Sequence, residues 1–260
     1  MSRPAARKEL GQHFLVDENL LGVIGRLAEL GREDVVLEVG PGLGVLTAFL
    51  AERAALVHAV ALDRSLVQPL RERLAGHGNV ELRFGDALRL DLAALRPPPT
   101  KLVSNLPYNI ATPLVVESLE GLRTVALWCV MVQREVADRF FAPPSTKQYG
   151  AVSVLVQLAA ERTGFHPVSR SVFRPRPNVD SALVAFRRRA FPSSYAAVKR
   201  LATAGFAHRR KRLANSLELA GLAARDEAAA ALTAIGRDSD ARAEELAPDE
   251  FVALSDALGR

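Results

Sequence analysis

Asn105-Leu106-Pro107-Tyr108 follows a short apolar run, Leu102-Val103, and lies downstream of a second string, Glu38-Val39-Gly40-Pro41-Gly42-Leu43-Gly44. The first has the residue types needed to grip a flat nitrogen base by its amine. The exocyclic amine of adenine is a poor nucleophile, because its lone pair is delocalised into the ring. Two acceptors aimed at its two hydrogens draw the nitrogen toward tetrahedral geometry. Here they would be the Asn105 side-chain oxygen and the Leu106 backbone carbonyl, with Pro107 stiffening the turn. Tyr108 would stack on the base. A base held inside a helix or loop must first be swung out of its stack. Asn and Pro also end strands as ordinary turn residues, so the string gains its meaning from the glycine loop upstream.

That loop predicts a nucleoside pocket. Glycines between a strand and its helix let backbone approach a ligand closely, since no Cβ stands in the way. A dinucleotide site wants Gly-x-Gly-x-x-Gly with pyrophosphate on the helix N-terminus. Here the spacing is Gly40-x-Gly42-x-Gly44 behind Glu38, which suits S-adenosylmethionine: no phosphate to cradle, and a positive sulfonium that an acid favours. Asp86, after Phe84-Gly85, is placed to accept from an adenine amine, or else simply to cap the next turn.

These motifs need strands and helices to hold them. Val35 to Val39 reads as a buried strand and Val45 to Ala54 as a helix with Leu46, Phe49 and Leu50 on one face. Val57 to Leu62, Val80 to Phe84 and Lys101 to Val103 read as further strands, Ser65 to Leu74 as a helix capped by Ser65, and Thr112-Pro113 as the opening of another. Such alternation predicts a parallel sheet with helices on both faces. Thr124 to Val132 reads as a long strand, Arg134 to Phe140 as a short helix, and Ala151 to Gln157 and Ala182 to Phe186 as β-rich, closing the sheet antiparallel. Past Arg189 the chain turns to Ala- and Leu-rich helices broken at Gly205, Gly221 and Gly236. We expect two domains, residues 1–189 and 190–260, the second small and all-helical.

Composition excludes several classes. The chain has 260 residues, 49% hydrophobic and 24% charged, as soluble domains do. The N-terminus runs into no apolar segment, and the longest apolar stretch, Val125 to Val132, is too short to span a bilayer. The expectation is a cytoplasmic protein with no membrane partner. A lone Cys129 inside that stretch leaves no disulfide framework and no metal cluster, and reads as a buried strand residue. The net charge of +5 is unevenly spread: residues 187–212 hold nine Lys or Arg and no acid, whereas 213–260 hold four bases and ten acids. The string His208-Arg209-Arg210-Lys211-Arg212 is a candidate contact to RNA phosphates through Arg209, Arg210, Lys211 and Arg212.

The chain resembles the KsgA family of ribosomal RNA adenine dimethyltransferases from Gly11 onward. The strings that carry the likeness are Gly11 to Asp17, Glu38 to Gly44, Asn105 to Leu114, Met131 to Ala137, Tyr149 to Val154 and Val172 to Ala182. The resemblance implies an α/β fold, a Rossmann-like seven-stranded class I methyltransferase sheet with a small helical C-terminal domain. It implies that His13 and Leu15 line the methionine end of S-adenosylmethionine, Gly40 and Gly42 approach it, Asp86 meets its adenine, and Asn105 and Leu106 hold the target amine. Phe173 would close on the base opposite Tyr108, as a lid. The implied activity places two methyls on each of two adjacent adenines near the 3′ end of small-subunit rRNA, in the immature small subunit. We expect a monomer.

One departure stands out. Where the family carries an acid for the ribose hydroxyls, this chain has Ala61 in Val60-Ala61-Leu62-Asp63. Asp63, two residues on and so on the same face of an extended strand, is expected to substitute, with Ala61 bordering the pocket. The rival readings are an Erm-like large-subunit rRNA methyltransferase conferring macrolide resistance, a non-catalytic RNA-binding assembly factor, and a nicotinamide-dependent oxidoreductase. The last is disfavoured by the glycine spacing and by the missing acid at 61.

Overall fold

A computed structural model describes residues 13–15 and 17–259. The charged segment Met1 to Glu9, and Gly11, Gln12 and Val16 of the first motif, lie outside the described residues. The chain forms two compact units, residues 1–137 with 162–188, and residues 138–161 with 189–260.

In the first unit, β1 (Phe14–Leu15) precedes α1 (Glu18–Leu27), which opens where the Asp17 carboxylate accepts the Asn19 N–H at 2.8 Å. Then follow β2 (Val35–Val39), α2 (Val45–Ala51), β3 (Leu56–Ala61), α3 (Val67–Leu74), β4 (Val80–Phe84), β5 (Lys101–Asn105), α4 (Ala111–Gly121) and β6 (Leu127–Gln133). Every residue of β2 is buried, because helices cover both faces of a parallel sheet and its strands become continuous apolar runs. α3 does not start at a Ser65 cap. Asp63 caps a short 3-10 turn, Arg64–Leu66, and the helix continues from Val67.

The chain passes into the second unit within α5 (Arg134–Phe140), continues as α6 (Ala151–Ala159), and returns along β7 (Ala160–Val168) to β8 (Phe173–Arg174) and β9 (Ser181–Arg188). Seven strands form one sheet in the order β4-β3-β2-β5-β6-β9-β7, and β1 pairs antiparallel with β8 in a separate two-stranded ribbon. The first five are parallel, and β6 pairs antiparallel with β9. Chain order reverses between β2 and β5, so their C-terminal ends flank a crevice, the place where open α/β sheets bind ligands. The glycine loop leaves β2 there, and Asn105 is the last residue of β5. Cys129 is buried, as expected, and burial pushes its thiol up, away from reactivity.

In the second unit, α6 and the tail of α5 accompany α7 (Tyr195–Ala207), α8 (Leu213–Leu219), α9 (Arg225–Ala234) and α10 (Pro248–Ala257). Three expectations change here. Residues 151–157 are helical rather than β-rich: the Ser153 hydroxyl accepts the Gly150 N–H at 3.1 Å and donates to the Arg139 carbonyl at 2.6 Å, fixing the helix start. Ser153, Val154, Leu155, Val156, Leu158 and Ala159 are all buried, and a helix buried on most sides has the same β-branched apolar run as a buried strand. The cut at residue 189 is also replaced, since residues 138–161 cluster with the C-terminal helices; the Tyr149 hydroxyl donates to the Leu246 carbonyl at 2.8 Å. Gly221 and Gly236 do end α8 and α9 with positive φ. Gly205 does not break α7. It lies inside the helix, where a Cβ would come within 2.7 Å of Leu213 Cδ1.

Candidate active site

A cavity opens at the crevice between β2 and β5, walled entirely by the first unit. It gathers His13, Leu15, Glu38, Gly40, Gly42, Ala61, Asp63, Asp86, Asn105, Leu106, Pro107 and Tyr108 from five separate stretches of chain. The glycine loop is pinned by the Gly40 N–H to the Val60 carbonyl at 2.9 Å. A Cβ on Gly40, whose φ is +81°, would meet the Pro107 ring at 3.0 Å, and one on Gly42, at φ +56°, would meet Phe14 Cδ1 at 2.9 Å. The two motifs therefore touch, and only glycine permits that approach.

Asn105 is held rather than loose. Its Nδ2 donates to the His13 carbonyl at 3.0 Å, and because a carbonyl only accepts, this orients the amide and leaves Oδ1 as its acceptor end. The Leu106 N–H donates to the Met131 carbonyl at 3.0 Å, continuing the β5 to β6 ladder one residue past the strand and fixing the Asn105–Leu106 peptide, from which the Leu106 carbonyl follows. Tyr108 is anchored at its far end: its hydroxyl and that of Ser181, the first residue of β9, lie 2.6 Å apart. Burial pushes the phenol up, against a smaller downward pull from the Ser181 hydrogen bond. The His13 ring packs at a tilt on Tyr108, centroids 5.3 Å apart, and its Nδ1 donates to the Pro175 carbonyl at 2.8 Å. His13 thus ties the amide, the tyrosine and the 173–177 loop together.

The glycine-loop wall carries a buried acid. Glu38 is 1% exposed, and its Oε2 has no hydrogen-bond partner among the described residues. Burial pushes the carboxyl up to about 8, partly offset by the nearby Thr47 hydroxyl; that hydroxyl completes no hydrogen bond of good geometry, so we read its effect as proximity. An orphaned buried acid next to a cradle that a Cβ would fill fits S-adenosylmethionine, a ligand with a cationic centre and no phosphate. Asp86 lines the cavity, while its Oδ1 accepts the Leu88 N–H at 3.0 Å and its Oδ2 lies 3.5 Å from Arg89 Nε. Its carboxylate thus caps the following turn from a place on the cavity wall. Leu62 and Leu88, 55% and 42% exposed, flank Ala61 and Asp86 on the same wall. The sequence shows no sign of them, since an isolated exposed leucine is ordinary. Ser181 was likewise invisible, because its partner is seventy-three positions away.

Two expectations are corrected. Asp63 is not on the β3 face, because β3 ends at Ala61. It reaches the cavity wall from the following turn, with Oδ1 accepting the Ser65 N–H at 3.0 Å and the Ser65 hydroxyl at 2.6 Å. Phe173 is no lid. It is 2% exposed in the core with Leu15, Val168 and Leu183, held by pairing with Leu15, and lies outside the cavity.

In the second unit, the basic string divides by pairing. Arg209 is committed internally, to Glu244 at 3.0 Å and to the Lys147 and Thr146 carbonyls, and Arg212 pairs with Asp240 at 2.7 Å. Arg210 and Lys211 are exposed and have no ion-pair partner among the described residues.

Known proteins resemble this chain in sequence and fold. The chain is 50% identical to the ribosomal RNA small subunit methyltransferase A of Rubrobacter xylanophilus over 96% of its own length and 94% of the relative's. It is 44% identical to the protein of the same name from Lactiplantibacillus plantarum, covering 97% and 90%. Among solved structures, the 23S rRNA methyltransferase ErmE is 30% identical with a TM-score of 0.68, over 95% of this chain and all of that one. A dimethyladenosine transferase from Plasmodium falciparum shares the fold, with a TM-score of 0.78 at 23% identity over 93% and 96%. Residues 3–258 match the profile described as "Ribosomal RNA adenine dimethylase", and the chain belongs to that family.

Proposed function

We propose that this protein uses S-adenosylmethionine to dimethylate N6 of two adjacent adenines in the 3′-terminal hairpin of small-subunit rRNA, acting as a cytoplasmic monomer on the immature small subunit. The observation that carries the reading is the tethered Asn105 amide. Asn105 and Leu106 line the same cavity as a glycine cradle and a buried acid, and the tether leaves the Asn105 oxygen as the free acceptor.

S-adenosylmethionine supplies a methyl group on a sulfonium sulfur, open to in-line displacement by an amine. The chain's own part is to position. Asn105 Oδ1 and the Leu106 carbonyl accept hydrogen bonds from the amine and turn the nitrogen lone pair out of the ring plane, and the proton displaced by methylation leaves to solvent. Tyr108 holds the ring face, and Pro107 keeps the two acceptors at a fixed angle. Placement of this kind supplies most of the rate without a strong base. The half-buried, largely apolar wall excludes water from the reacting centre. Arg210 and Lys211 supply screened attraction to RNA phosphates. Asp63 serves the ribose in place of an acid at Ala61, and Asp86 and Leu88 take the adenine of the donor.

The small-subunit target is favoured over the Erm-like alternative by 50% identity to small-subunit enzymes against 30% to ErmE. The intact amine clamp favours catalysis over a purely structural assembly role. Mass mapping of methyladenines, after incubation with labelled donor and either unmethylated small subunits or large subunits, tests the proposal. We expect dimethyladenine only in the small-subunit 3′ hairpin; label in large-subunit rRNA, or none, would refute it.

A further inference from the structure

We propose that Arg174 and Arg176 form a phosphate-binding site in the catalytic unit, gripping the RNA strand that carries the target adenine. This rests on the rRNA methyl-transfer reading above and adds the means by which the extruded nucleotide is held at the cavity mouth.

The loop from Arg170 to Asp180 carries three arginines and one acid. The acid is taken: Asp180 Oδ1 lies 3.2 Å from Arg170 Nε, and Arg170 also donates to the Asn178 carbonyl at 3.1 Å. Arg174 and Arg176 are exposed and, among the described residues, their guanidinium groups have no ion-pair or hydrogen-bond partner. Two positive charges are therefore uncompensated on one short stretch.

That stretch is fixed in place. Phe173 and Pro177, on either side, are buried, Arg174 pairs with Phe14 in the β1 to β8 ribbon, and between the arginines the Pro175 carbonyl accepts from His13 Nδ1 at 2.8 Å. His13 in turn holds Asn105 through its carbonyl and packs on Tyr108. The guanidinium-bearing segment is thus one hydrogen bond from the residue that orients the amine clamp. Neither arginine lines the donor cavity, which argues for an anion outside it, a nucleotide phosphate, rather than the donor's own carboxylate. Arginine suits the task, because its planar fork matches phosphate oxygens. Unstacking a base is unfavourable, and phosphate contacts beside the pocket offset that cost where it is incurred.

The test is equilibrium binding and steady-state methylation of unmethylated small subunits across a salt series, for wild type, R174A/R176A and R174K/R176K. Loss of two phosphate contacts should weaken binding about tenfold at 0.15 M salt and flatten the log–log salt slope by about 1.4. The loss should appear in KM, and the lysine variant should restore the slope. Donor affinity, measured without RNA, should match wild type. An unchanged slope and KM in R174A/R176A, or a fall in donor affinity with no change in slope, would overturn the assignment. Failure of the underlying reading looks different: wild type would then bind subunits without transferring methyl groups.

Discussion

Replacing Glu38 by Gln tests whether the buried acid on the cavity wall is built for a cationic ligand. In the unfolded chain this carboxyl ionises near 4.5, whereas in the folded, ligand-free protein burial moves it to about 8. Folding thus favours the protonated form. Its contribution is fully present below pH 4.5 and is lost progressively as pH rises to about 8. The interval from 4.5 to about 8 corresponds to about 5 kcal/mol at about 1.4 kcal/mol per unit, of which about 2–3 kcal/mol falls between pH 6 and 9. Urea unfolding of the ligand-free protein should show wild type losing about that much more than Glu38→Gln over this range. A cation beside the carboxyl favours its ionised form, so donor affinity of wild type should climb as pH rises toward 8, by up to about tenfold per unit, while Glu38→Gln lacks this climb. Parallel stability and affinity profiles for the two proteins would refute the reasoning, and Glu38 would then be a packing residue.

Other outcomes follow from the same geometry. If Ser181 acts by fixing the Tyr108 ring, Ser181→Ala and Tyr108→Phe should each slow methyl transfer, and the double variant should be no worse than either; additive losses in a double-mutant cycle would show separate roles. Arg209→Ala should cost about 1–2 kcal/mol of stability, since it strips a bridge to Glu244 and two carbonyls. Arg210→Ala with Lys211→Ala should leave the unfolding midpoint in place and reduce RNA affinity and its salt slope, and a lowered midpoint would reverse that division. Asp63→Ala should lower donor affinity beyond the roughly 1 kcal/mol of stability lost with its cap, and donor affinity equal to wild type would leave Asp63 a capping residue alone.

The parts of the site legible in the sequence are those where local backbone geometry dictates residue type. Gly40 and Gly42 had to lack a Cβ because the Pro107 and Phe14 rings come so close, and Asn-Leu-Pro-Tyr had to end a strand to present two acceptors at once. The alternation of apolar runs and helical faces likewise announced the parallel sheet, whereas the switch point between β2 and β5 needed the strand order. What escaped is tertiary. Ser181, the Pro175 carbonyl and the partners of Arg209 are joined to the site or to each other across long stretches of chain, and no local pattern encodes such pairings. Phe173 misled for a related reason: an aromatic residue before a proline loop fits a lid as well as a core anchor, and only its pairing with Leu15 decides. Residues 151–157 misled because burial on most sides erases the helical period.

The central claim, that the Asn105 oxygen draws the amine out of plane in front of the donor, meets its most direct test in single-turnover methyl transfer by Asn105→Ala with donor and small subunits both saturating. Losing one positioned acceptor of this kind should slow the step by about 10²–10³, with donor affinity within a few-fold of wild type. A single-turnover rate within a few-fold of wild type would contradict the account.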